Sequence, residues 1–113
     1  MKITLPLRLR STMNLREHWA AKAKRMKHQR ASASFYCGPL REFHGKHVDV
    51  TLTRIAPRPL DGDNLQAAFK AVRDGVADAM GYANDSDPRL MWHYAQARGE
   101  PRVYAVTVEV TPR

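Results

Sequence analysis

The sequence predicts a small α+β domain, with a mixed or antiparallel sheet and two helices. Three observations carry that reading. Its 113 residues suit one domain, spanning 1–113. Three or four short stretches alternate apolar and polar residues, as half-buried strands do. Two longer stretches repeat their apolar residues at helical spacing. The apolar fraction, 43%, is enough for a core.

Ile3, Leu5, Leu7 and Leu9 alternate with Lys2, Thr4, Pro6 and Arg8, an opening strand whose proline suits a sheet edge. A helix is expected over 13–30, capped by Ser11, Thr12 or Asn14, with Leu15, Trp19, Ala23 and Met26 on its apolar face. The glycine and proline of FYCGPLREFHGK read as a loop, with a short strand around Phe35. KHVDVTLTRI is a strand with Val48, Val50 and Leu52 inward. After APRPLDGD, Leu65, Ala68, Phe69, Val72, Val76, Ala79 and Met80 stripe a second helix over 64–80, with Asp63 as its N-cap. RLMWHYAQA and RVYAVTVEV are strands, expected to pair as a hairpin across RGEP. Trp92 and Tyr94 are expected to pack in the sheet, and the His44–His47 loop to be simply polar.

No run of 18 apolar residues is present, so no membrane partner is expected. The N-terminus alternates where a signal peptide needs an apolar run, and the lone Cys37 excludes an internal disulfide. The expected location is the cytoplasm. The net charge is +8, unevenly spread. Residues 1–60 hold thirteen Lys/Arg against three acids, a net of +10. Residues 61–87 hold two bases against six aspartates, a net of −4, and 88–113 carry +2. A basic body of this kind attracts a polyanion. Arg16, Lys22, Lys24, Arg25 and Lys27 crowd one helix beside a single acid, Glu17, and are candidate phosphate contacts together with Arg58.

The acidic stretch raises the chemical question. Helix capping accounts for Asp63 and leaves Asp61 unexplained. A twelve-residue calcium loop from Asp61 would need Asp, Gly and Glu where Leu65, Gln66 and Val72 stand. A phosphotransferase motif would follow a buried strand directly, whereas APRP precedes Asp61. What remains is a hard-metal site: Asp61 and Asp63 supply two oxygen ligands, and the turn NDSDP offers Asp85 and Asp87. On a continuous helix Asp63, Lys70 and Asp74 share one face, and Lys70 leans toward the aspartates. A plain i,i+4 ion pair from Lys70 to Asp74 is the competing reading.

RPLDGDNLQAAFKAVRDGVADAMG followed by NDSDPRL resembles the RusA family of Holliday-junction resolvases, small endodeoxyribonucleases of phages and prophages. The family pattern is D-x-D-N, a helix with a lysine and an aspartate four residues later, then an Asp-rich turn. Asp61, Asp63 and Asn64 match the first element, Lys70 and Asp74 the second, and Asn84-Asp85-Ser86-Asp87 the turn. The strong match covers 58–90; Asn14 and Trp19 match more weakly. Two positions depart: Ala67 stands where the commoner lysine would, and Asn84 replaces a first aspartate. The resemblance implies a RusA-like fold, a homodimer, and magnesium-dependent cleavage of four-way DNA junctions, manganese being the alternative ion. It implies Asp61, Asp63 and Asp85 as metal ligands with Lys70 as the catalytic cation, and Asp87, Asp74 and Asn64 as supporting residues. A non-catalytic basic DNA-binding relative of the resolvases is the alternative.

Overall fold

The computed structural model describes residues 1–11 and 18–113. The strands are β1 (Lys2–Leu5), β2 (Val48–Ala56), β3 (Leu90–Arg98) and β4 (Ala105–Pro112). The helices are α1 (Trp19–Tyr36), α2 (Gly62–Ala68) and α3 (Lys70–Met80), with a 3-10 helix at Gly38–Phe43. The four strands form one mixed sheet in the order β1-β4-β2-β3. β4 pairs antiparallel with both β1 and β2, while β2 and β3 are parallel. The fold is therefore α+β, as the sequence predicts, and the strand carrying Lys2 to Leu5 lies at a sheet edge, just before Pro6.

The β3–β4 hairpin expected across RGEP does not form. β2 lies between the two strands and pairs with both of them, Val50 opposite Trp92 on one side and Val110 on the other. The reason is burial: β2 alternates buried and half-buried along its whole length, and the central place covers both of its edges. The chain reaches β3 from β2 through α2 and α3, the crossover that parallel strands require.

Val48, Val50 and Leu52 from β2, Val106, Val108 and Val110 from β4, and Val72, Val76 and Met80 from α3 make one core. Period two places Arg54 on this same inward side, and it is buried.

Three further expectations are corrected. Helix α1 runs six residues beyond the expected end, and the 3-10 helix follows at once, so the expected loop and strand near Phe35 are helical. His18 caps α1, its Nδ1 accepting from the Ala20 N–H, whereas the Ser11 hydroxyl donates to Asn64. Thr12, Asn14, Leu15, Arg16 and Glu17 lie outside the described residues. Trp19 and Ala23 are exposed, while Gln29 and Ala33 are the buried positions of α1. That face meets α3, where Gly75 lets the backbone of α1 approach.

The expected helix over 64–80 is two helices with Phe69 at the joint. The Phe69 N–H turns to Gln66 O, a tightened turn, and its ring is fully buried in the core. Asp61, not Asp63, is the N-cap of α2: its Oδ1 accepts from the Asn64 N–H at 3.0 Å. Asp63 stands exposed in the first turn, where its charge suits the helix dipole.

Candidate metal and nucleic-acid site

Asp61 is held by its own cap. Its second oxygen, Oδ2, accepts from Asn64 Nδ2 at 3.0 Å, and Asn64 Oδ1 accepts from Ser11 Oγ at 2.8 Å. The D-x-D-N element thus ties the start of α2 to the segment that follows β1. Asp61 and Asp63 both face solvent.

The second cluster forms where α3 meets the turn before β3. Lys70 Nζ lies 3.1 and 3.0 Å from the two oxygens of Asp85, and 3.0 Å from Asp74 Oδ1. Arg73 Nε lies 3.1 Å from Asp85 Oδ2, an ion pair without hydrogen-bond alignment, so that this buried N–H has charge compensation but no aligned acceptor. Trp92 Nε1 donates to the Asp85 carbonyl at 2.8 Å and fixes the turn on the sheet. The Arg73 guanidinium lies 4.9 Å from the Trp92 ring centre and donates to the Tyr94 hydroxyl. Trp92 and Tyr94 do pack in the sheet, half-buried against the core, and they also position this arginine.

Burial by itself pushes the Asp85 carboxyl up, but Lys70 and Arg73 outweigh it and hold the group below the ordinary carboxylate range. Burial likewise pulls the Lys70 ammonium down, and Asp74 and Asp85 together raise it above its ordinary value. Asp87 belongs to a separate pair. Arg89 bonds both its oxygens, at 2.9 and 2.8 Å, and holds its pKa down to about 2.

The expected direction of Lys70 is corrected by this geometry. Its ammonium pairs with Asp74 and Asp85 and, among the described residues, with neither Asp61 nor Asp63; Asp63 lies in α2, and Lys70 opens α3 beyond the joint at Phe69. The i,i+4 pair with Asp74 is present, and it is only one part of the cluster. Arg73, which the motif does not include, completes it. The signal for Arg73 lay in its place three residues beyond Lys70, which puts both on one side of α3.

Among the described residues, no three His, Cys, Asp or Glu side chains stand close enough to hold a metal together. The donor chemistry of Asp61 and Asp63 fits a hard ion, which takes one or two carboxylates and keeps its remaining places for water and substrate. Asp85 does not join them as placed: its charge is answered by two cations. His44 is likewise engaged, with Nδ1 2.9 Å from Met80 O and its ring against Tyr82.

Of the candidate phosphate contacts, Lys22, Lys24 and Lys27 are exposed along α1, and Arg58 is exposed just ahead of Asp61. Arg25 is half-buried, and Arg16 lies outside the described residues. Sequence reasoning passed over Arg54, although the inward parity of Val48, Val50 and Leu52 extends directly to it.

No protein-family model matches the chain, and no curated protein matches it. No described helix is long and apolar enough to cross a membrane.

Proposed function

We propose that the protein is a divalent-metal-dependent endodeoxyribonuclease acting on branched DNA, four-way junctions in particular, as a homodimer in the cytoplasm of a bacterial or phage-infected cell. The observation that carries the reading is the contact of Lys70 with Asp85. The lysine element and the acidic turn of the motif, separated along the chain, meet in one charged cluster on α3. Asp61 and Asp63 stand at the start of the preceding helix, in a protein of net charge +8.

In this reading Asp61 and Asp63 hold magnesium or manganese, which when bound supplies charge stabilisation at the phosphate. Asp61 also keeps α2 capped, and Asn64 orients it. Asp85 holds Lys70 and Arg73 as two cations beside the phosphate path, where fixed positive charge stabilises a transition state that gathers negative charge. A symmetric dimer offers two such sites, matching the two incisions that resolve a junction.

The second reading, a DNA-binding protein without catalysis, is favoured by one observation: Asp85 is neutralised by cations and, among the described residues, completes no three-carboxylate group. A labelled four-way junction incubated with the protein, with and without magnesium, separates the two. Paired nicks that need the metal and vanish in Asp61→Asn support cleavage. This variant keeps a cap acceptor for the Asn64 N–H, so α2 stays anchored while the charge is lost. Tight binding with intact DNA under every condition supports the second reading.

A further inference from the structure

The arginines that the motif does not use lie together. A cavity of about 470 Å³ opens at the ends of β2 and β3, lined by Arg54, Arg58 and Arg98. A second, about 270 Å³, shares Arg54 and Arg58 with it and adds Arg8 and Arg10. A third, about 360 Å³, shares Arg8 and Arg10 with the second and runs on to Arg25 and His28 of α1. The shared walls make one groove from the sheet end to α1. Among the described residues, no aspartate or glutamate lines it.

Arg54 is the unusual member. It is 7% exposed, and no carboxylate answers its charge among the described residues. Its Nε donates to Leu9 O at 2.9 Å and its Nη1 to Arg58 O at 2.7 Å. These two carbonyls fix the guanidinium plane, while Nη2 has no acceptor among the described residues and is not shut away from solvent. Burial pulls the Arg54 pKa down from its ordinary value; Tyr104 opposes it, and Arg8 adds a lesser repulsion in the same direction as burial. A guanidinium held in place by two carbonyls, with no carboxylate beside it among the described residues, has the chemistry of an oxyanion receptor. Arg8 is positioned too, stacked 4.1 Å from the Tyr104 ring centre.

We propose that this groove binds successive backbone phosphates of a nucleic-acid strand, with Arg54 as its fixed anchor and Arg58, Arg98, Arg8 and Arg10 as the contacts along it. The assignment rests on the nucleic-acid reading above and adds to it the path of the strand. Arg58 precedes Asp61 by three residues, so the groove delivers the strand to the start of α2. The helix α1 lysines then form a flank of this path and not its floor.

The test measures binding of a fluorescent oligonucleotide across a salt series, with no metal present so that cleavage does not intervene. Arg58→Gln with Arg98→Gln, and separately Arg8→Gln, are surface changes that leave the Arg54 bonds in place. Each lost contact is expected to weaken binding about tenfold and to flatten the log–log salt slope by about 0.7 to 0.9. Lys46→Gln, outside the groove, is the charge control. Arg54→Lys, checked for folding by its thermal melt, keeps the charge and loses the fork, and is expected to bind weakly. Unchanged affinity and slope in both groove variants, with wild-type DNA binding intact, would overturn the groove while sparing the nucleic-acid reading. Inorganic pyrophosphate, followed by the Arg54 Nε resonance, is the second arm. A shift there without any oligonucleotide binding would keep the phosphate site and overturn its nucleic-acid source. Silence in both arms would overturn both.

Discussion

Lys70 reaches both oxygens of Asp85, and Asp85 is in turn flanked by Arg73. One carboxylate therefore joins the start of α3 to the turn that launches β3. Removing its charge leaves two cations facing each other across a mostly buried amide. Asp85→Asn is expected to cost about 1–3 kcal/mol, the range for losing charged hydrogen-bond partners. The acid dependence gives a second readout. The folded carboxyl lies below its ordinary value of 3.8, so its contribution is present above that value and is lost as the pH falls through the lower folded value. Urea unfolding of the two proteins should differ most near neutral pH and converge in acid. A constant difference at every pH would mean that the charge of Asp85 does not stabilise the fold.

Lys70 itself is more than half exposed, so its ion pairs are worth little to stability, about 0–1 kcal/mol. Its value should lie in chemistry. Lys70→Ala is expected to slow junction cleavage about a hundredfold, the scale of one preorganised charge, with binding little changed. Lys70→Arg should restore little, because a planar fork does not replace a compact ammonium held between Asp74 and Asp85. Normal cleavage by Lys70→Ala would make the residue a surface ion-pair partner only, with Arg73 the next candidate.

The outline of the fold was legible because β2, β4 and α3 state their periodicity in adjacent residues. The pairing of β3 was not, since RGEP is short enough for a hairpin and only the two-sided burial of β2 selects the other arrangement. The joint at Phe69 was hidden for a related reason. Leu65, Phe69, Val72 and Val76 keep helical spacing across it and are all buried, so the apolar stripe looks unbroken. The Lys70–Asp85 pair was equally hidden, because it joins α3 to a turn fifteen residues further along the chain. Arg54 shows the reverse case: its inward parity was readable, but an arginine on a core face is understood only once Leu9 O and Arg58 O are seen to receive it.

Cys37 closes α1, fully buried, and burial pushes its thiol up to about 12 from an ordinary 9. In the unfolded chain the thiol ionises from pH 9 upward, while in the folded chain it stays neutral. A raised folded value stabilises below the unfolded value and is lost as the pH climbs from 9 toward 12. Stability should therefore fall above pH 9 by up to about 1.4 kcal/mol per pH unit from this group. Cys37→Ala should be less stable at neutral pH, and the gap from wild type should narrow in alkali. Urea unfolding of reduced protein at pH 7 to 10.5 measures it. Parallel curves for the two proteins would show that the thiol is not sealed from water.

Gly75 sets the distance between α1 and α3. A Cβ there would lie 2.4 Å from the Arg30 carbonyl oxygen and 2.7 Å from the Ala33 Cβ. The first contact is with backbone, so no side-chain rotation relieves it. Alanine would gain about 0.5–1 kcal/mol in helix propensity. Overpacking a tight interface costs about 1–3 kcal/mol, and here the whole of α1 must move. Gly75→Ala is thus expected to lower the melting temperature. The outward shift of α1 should also stretch the Arg30–Asp78 fork, now 2.7 and 2.9 Å, which spans the same pair of helices. Adding Ala33→Gly removes the second clash and leaves the first, so it should recover only part of the loss. A Gly75→Ala protein more stable than wild type would mean that α1 does not sit this close to α3.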